Sequence, residues 1–86
     1  MFKLLSPQRA ANSDGFIVQV SSREAVEYIE GVEHYKVEVD FGQSVGVYKR
    51  TLKFIDGRHL PQDRANLIIG RIVEGLHAMG CKTELC

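Results

Sequence analysis

PQDRANLIIGRIVEGLHAMGCKTELC, running from Pro61 to Cys86, reads as an amphipathic helix, a glycine stop and a short final strand. Ala65, Ile68, Ile69, Ile72, Leu76 and Met79 recur at three- and four-residue steps, which stacks them on one face of a 3.6-period helix. Pro61 suits the first turn, where its missing N–H loses nothing, and Asp63 sits favourably against the positive end of the helix dipole. Gly80 marks the left-handed stop, and Lys82 to Leu85 reads as the last strand. Gly70 falls on the solvent side of this Pro61 to Met79 helix. Gly75 falls at the edge of the apolar stripe, where it allows a close approach to whatever covers that stripe.

The helix needs an apolar layer to lie on, and the upstream sequence supplies one. Tyr35, Val37, Val39 and Phe41 alternate with Lys36, Glu38 and Asp40, the cleanest half-buried strand in the chain. Val45 to Ile55 is a long extended run whose parity changes: Val45 and Val47 share one face, Tyr48, Leu52 and Phe54 the other, which predicts a bulge near Lys49 to Thr51. Phe16, Val18 and Val20 form an earlier strand. Between Ser22 and Gly31 the signals conflict, since Ser21-x-x-Glu24 resembles a capping box while Val26, Tyr28 and Ile29 favour extension. The preferred reading is a hairpin, with Ala25 to Glu30 extended. Residues 1–15, polar and ending in an Asp14-Gly15 turn signal, read as a flexible leader before a single α+β domain over residues 16–86. The expected architecture is a mostly antiparallel four- to five-stranded sheet, with one long C-terminal helix packed on one face and a short final strand.

A chain of 86 residues holds one thin core, and 44% hydrophobic against 26% charged residues is ordinary globular usage that argues against disorder. Eleven basic and eleven acidic side chains cancel, so the whole-chain charge expected of a general nucleic-acid binder is missing. No run approaches the roughly 18 apolar residues that span a bilayer, and the expected setting is cytoplasmic, with Cys81 and Cys86 as free thiols. His34, His59 and His77 show no ligand spacing with the cysteines, so neither a metal nor a cofactor is expected. Asp56 and His59 crowd the loop before the helix without a nucleophile tied to them, and Cys81 follows a helix C-terminus, whose dipole raises a thiol pKa. The expectation is a non-catalytic domain.

Charge is segregated along the chain. Glu24 to Asp40 carries six carboxylates against Lys36, while Lys49, Arg50, Lys53 and Arg58 face only Asp56. If the strands carrying these segments are antiparallel neighbours, opposite charges face one another across the sheet. An acidic rim around the hairpin, with Glu27, Glu30 and Glu33, would also steer a basic protein partner. Tyr28 and Leu67, with Ile17, are the apolar side chains expected outside the core and so mark contact surfaces for a monomer or weak dimer. The alternative is a nucleic-acid-binding module using Lys49, Arg50, Lys53 and Arg58. Leu67 to Arg71 has a superficial likeness to the RNA-binding KH clamp, but Val73 stands where its second glycine belongs.

Tyr28-x-Glu30-Gly31, the strand Tyr35 to Phe41, the Val47-Tyr48 run and the closing helix and strand, taken in order, resemble small bacterial immunity proteins of polymorphic toxin systems. The resemblance covers most of residues 16–86, without the tryptophan common in such chains. It implies a stoichiometric inhibitor of a toxin domain, with Glu27, Glu30 and Glu33 as contacts.

Overall fold

The computed structural model describes residues 2–86. Seven strands form one sheet in sequence order: β1 (Phe2–Ser6), β2 (Arg9–Asn12), β3 (Phe16–Ser22), β4 (Ala25–Glu30), β5 (Glu33–Phe41), β6 (Val45–Phe54) and β7 (Thr83–Leu85). A single helix, α1 (Gln62–Ala78), lies between β6 and β7 in the chain. All neighbours are antiparallel except β7, which pairs parallel with the start of β6 through Val45↔Thr83 and Val47↔Leu85. The domain is therefore α+β with a curled mixed sheet, and four to five strands was an undercount.

The undercount arises in the segment expected to be a flexible leader. Residues 2–12 form a hairpin that adds β1 and β2 to the sheet edge. Ala10 and Ala11 carry little strand propensity, yet Ala10 is buried opposite Val18, and Phe2 meets the Phe16 ring edge-on at 5.5 Å. Tertiary contact, not local preference, sets this hairpin. Residues 22–30 adopt the extended reading. Arg23 and Glu24 make the β3–β4 turn, where the Ser22 hydroxyl accepts the Glu24 N–H, so the cap-like serine serves a hairpin. Gly31, at φ +60°, opens the tight turn into β5, the glycine-first geometry that suits two-residue hairpins.

On the concave face, Val18, Tyr28, Tyr35 and Phe54 stand in one register row. Phe16, Tyr28, Tyr35 and Phe54 stack along the floor with successive ring centroids 5.2, 5.7 and 4.5 Å apart. Ile68, Ile69, Ile72 and Leu76 of α1 press into this floor and are buried, as the sequence period predicts. Pro61 precedes the first helical turn. At the far end Gly80, at φ +87°, closes α1 with Gly80 N–H to His77 O and Cys81 N–H to Leu76 O, the two bonds of a Schellman stop. No helix among the described residues is long and apolar enough to cross a membrane.

Gly75 sits where α1 crosses β3. A Cβ built on it would lie 2.7 Å from both Cβ and Cγ2 of Val18, a stiff β-branched side chain that is itself fully buried, whereas Gly70 meets nothing within 4 Å. The two glycines should respond oppositely to alanine. Gly70→Ala should raise the urea midpoint by the roughly 1 kcal/mol of helix propensity that a solvent-facing glycine forfeits. Gly75→Ala gains the same propensity but wedges helix from sheet, an overpacking cost of about 1–3 kcal/mol that should lower the midpoint.

Candidate functional site

The three glutamates expected to form an acidic rim do not act together. Inward parity on β4 turns Tyr28 and Glu30 toward the helix, and the same parity on β5 turns Glu33 and Tyr35 that way. Tyr28, expected at the surface, is 0% exposed and lies in the aromatic floor. Arg64 and Arg71, seven apart on α1, reach down to meet these groups. Arg64 Nη2 donates to Glu30 Oε1 at 2.7 Å and to Glu33 Oε2 at 3.3 Å. Arg71 Nη1 donates to the Tyr28 hydroxyl at 2.7 Å and to Glu30 Oε1 at 3.3 Å, with its guanidinium 4.6 Å above the Phe16 ring. Tyr28 donates to Glu30 Oε1 at 2.8 Å, and Tyr35 donates to Glu33. Sequence reading passed over Arg64 and Arg71. Their signal was the seven-residue spacing on the flank of the Ile68 and Ile72 stripe, which puts both cations over the sheet.

This network ties helix to hairpin and leaves its carboxylates neutralised. Burial, reinforced by the bond to Glu30, pushes the Tyr28 hydroxyl up to about 12. The Tyr28 hydrogen bond, with Arg64 second, outweighs burial and holds Glu30 below the ordinary carboxylate range. Neither group is presented for proton transfer to a ligand, and the cluster is a structural clasp.

The third glutamate has the opposite parity. Glu27 lies on the convex face, where its carboxylate accepts from His34 Nε2. Among the described residues, no second layer of secondary structure covers that face. One row across it runs Ala11↔Ile17↔Ile29↔His34, and Ile55, 53% exposed, joins its end by donating its N–H to His34 O. The next row runs Arg9↔Gln19↔Glu27↔Lys36↔Lys53. Leu67 is 46% exposed as expected, but on α1, which covers the concave side. Leu67 and Glu27 therefore belong to different sides of the molecule, and the expected contact set divides between them.

The basic segment also divides. Arg58 is taken, its Nε donating to Asp56 Oδ2 at 2.7 Å and its guanidinium stacked 4.3 Å over Phe54. Lys49, Arg50 and Lys53 stay at the predicted bulge, where one residue of β5, Val37, faces four of β6 between the Glu38↔Tyr48 and Lys36↔Lys53 pairs. Thr51 fixes that bulge: its hydroxyl accepts the Glu38 N–H at 2.8 Å and donates to Tyr48 O at 2.7 Å. The two strands are antiparallel neighbours, yet the bulge sets the register so that Lys36 faces Lys53 and the expected cross-strand charge pairing does not form. Cys81 and Cys86 are free thiols, and His77 bonds Thr83 Oγ1 on the helix surface. Comparison of the chain with protein-family models, curated proteins and solved structures gives no match.

The clasp carries a pH signature. Glu30→Ala should cost about 1.5–3 kcal/mol at pH 7, the scale of hydrogen bonds to charged groups, read as a lower urea midpoint. A carboxylate whose folded pKa is lowered stabilises above its ordinary value of 4.5, and that contribution is lost as pH falls through the folded value. The gap between wild type and Glu30→Ala should therefore close in acid. Tyr28 has the opposite sign: its contribution holds below pH 10 and is lost as pH rises toward about 12. Tyr28→Phe should flatten that alkaline decline.

Proposed function

We propose that this chain is a small non-catalytic protein-binding domain that presents the convex face of its sheet to a protein partner, and that its specific role is that of a toxin-neutralising, immunity-type protein. The observation that supports it is the in-register row Ala11, Ile17, Ile29 and His34, each half-buried, with the exposed Ile55 at its end, on the face opposite α1. Charged side chains of both signs, Arg9, Glu27, Lys36 and Lys53, run beside this row. An apolar centre bordered by a polar rim is the anatomy of a recognition surface. Rigidity supports the reading further, since the row sits on central strands of the sheet, which present side chains at fixed spacing and lower the ordering cost of association.

The partner reads the row and its rim. Of the three glutamates expected to meet a basic toxin domain, only Glu27 stands on this face, so acidic steering is a minor part of recognition and apolar burial the larger one. Ile29, central in the row and flanked by Ile17 and His34, is the anchor position.

The reading is tested by locating the gene in its genome and, where a large upstream reading frame ends in a toxin-like domain, titrating the purified protein with that domain; an unrelated metabolic operon would end the immunity reading. A one-to-one complex should form, and Ile29→Glu should weaken it by about 30-fold or more, the loss that marks a hot spot, while the urea midpoint stays close to wild type. Absence of a complex, or a complex indifferent to Ile17→Glu and Ile29→Glu but lost with Leu67→Glu, would overturn the convex-face assignment.

A further inference from the structure

The sheet contains two like-charged pairs standing directly opposite one another among the described residues, Glu30↔Glu33 and Lys36↔Lys53. Like charges in register destabilise a sheet. The first pair is relieved from within, because Arg64 Nη2 binds both carboxylates. The second has no such bridge. Neither lysine side chain forms a hydrogen bond or ion pair, and the nearest carboxylate in register, Glu27 across from Lys36, is engaged by His34.

More cationic charge converges on the same place. Lys36, Arg50, Lys53 and His59 line one cleft of about 270 Å³ at the β6 bulge, with Glu38 as its carboxylate. Arg50 likewise has no ion-pair partner. The bulge places it there: four residues of β6 spanning a single residue of β5 breaks the alternation that would otherwise send Arg50 and Lys53 to opposite faces. The Thr51 hydroxyl, bonded to Glu38 N–H and Tyr48 O, holds the arrangement.

From this geometry we infer that the β6 bulge is an oxyanion site, taking a phosphoryl group between Lys36, Arg50 and Lys53 with His59 at its margin. The missing counter-charge of the Lys36↔Lys53 pair is supplied by the ligand, as Arg64 supplies it for Glu30↔Glu33. Guanidinium and ammonium groups suit this task, Arg50 by a fork that matches phosphate oxygens and the lysines as point charges. The cleft is a small, open one lined by side chains from two strands and the following loop, a size that favours a small phosphate-bearing molecule over an extended strand. Lys36 and Lys53 also run beside the Ile17 and Ile29 row, but the site is built on charge and the β6 bulge and does not rest on the protein-binding reading.

The test is an amide chemical-shift titration at constant ionic strength with inorganic phosphate, pyrophosphate and a thymidine octanucleotide, with chloride as the reference. Phosphate or pyrophosphate should give saturable shifts confined to Lys36, Arg50, Lys53, His59 and their neighbours. Lys53→Glu should weaken that binding at least tenfold and also raise the Tm of the free protein, because it converts the like-charged pair into an opposite one; the retained fold is then read from the same spectra. An octanucleotide that binds these residues no more tightly than pyrophosphate assigns the site to small phosphates, and one that binds more than tenfold tighter assigns the phosphoryl group to a nucleic-acid backbone. Shifts that fail to saturate, that match chloride, or that scatter over the surface lysines would overturn the site.

Discussion

One helix has to cover seven strands, and everything else in this domain follows from how that is done. Seven strands at the usual spacing would make a flat layer about 29 Å wide, while a helix with its side chains is roughly 10–12 Å across. A flat sheet would leave most of its apolar face wet. The sheet curls instead, so that α1 meets β1, β2, β3, β4, β6 and β7 together. Curling needs small residues where the walls close in. Gly75 against Val18 is the tightest such point, and Ala10, fully buried on β2, is another.

Apolar burial places the helix in the trough, and the close approach of Gly75 to Val18 marks where it crosses β3. The polar clasp adds a directional constraint. Arg64 and Arg71 find their hydrogen bonds to Tyr28, Glu30, Tyr35 and Glu33 in one alignment of helix and hairpin. Removing one partner leaves a half-buried charge exposed to the desolvation it had escaped. The clasp also relieves the Glu30↔Glu33 repulsion at the β4–β5 turn, so a feature that looks like a recognition rim in one dimension is an internal fastening in three.

The same logic separates the surfaces still open to function. The convex face keeps its apolar row because a single helix can cover only the concave one. The β6 bulge gathers Lys36, Arg50 and Lys53 around a single carboxylate, Glu38, and none of the three forms an ion pair. The two surfaces adjoin on the sheet and share Lys36 and Lys53, which border the apolar row and also stand at the bulge. Unlike charges and apolar groups that the fold consumes, such as Tyr28, Glu30 and Arg58, are poor candidates for either role.

Local pattern was enough for the helix, its glycine stop, the role of Gly75, the β5 strand and the β6 bulge, because each depends on a period or a backbone conformation carried by adjacent residues. Pattern also favoured extension over a helix at residues 25–30, where β-branched and aromatic side chains outweighed a cap-like serine. It failed at residues 2–12, whose alanines are strand residues only because Phe16, Val18 and the helix stand beside them. The candidate site was legible in composition but not in arrangement: the acidic and basic runs were visible, whereas their partners were not. Parity sends Glu30 and Glu33 inward to Arg64 and Glu27 outward to His34, and the bulge turns an expected Lys–Glu ladder into Lys36 facing Lys53. Periodicity tells a residue which face it occupies, but register and sheet curvature, which come from contacts distant in sequence, decide what waits for it there.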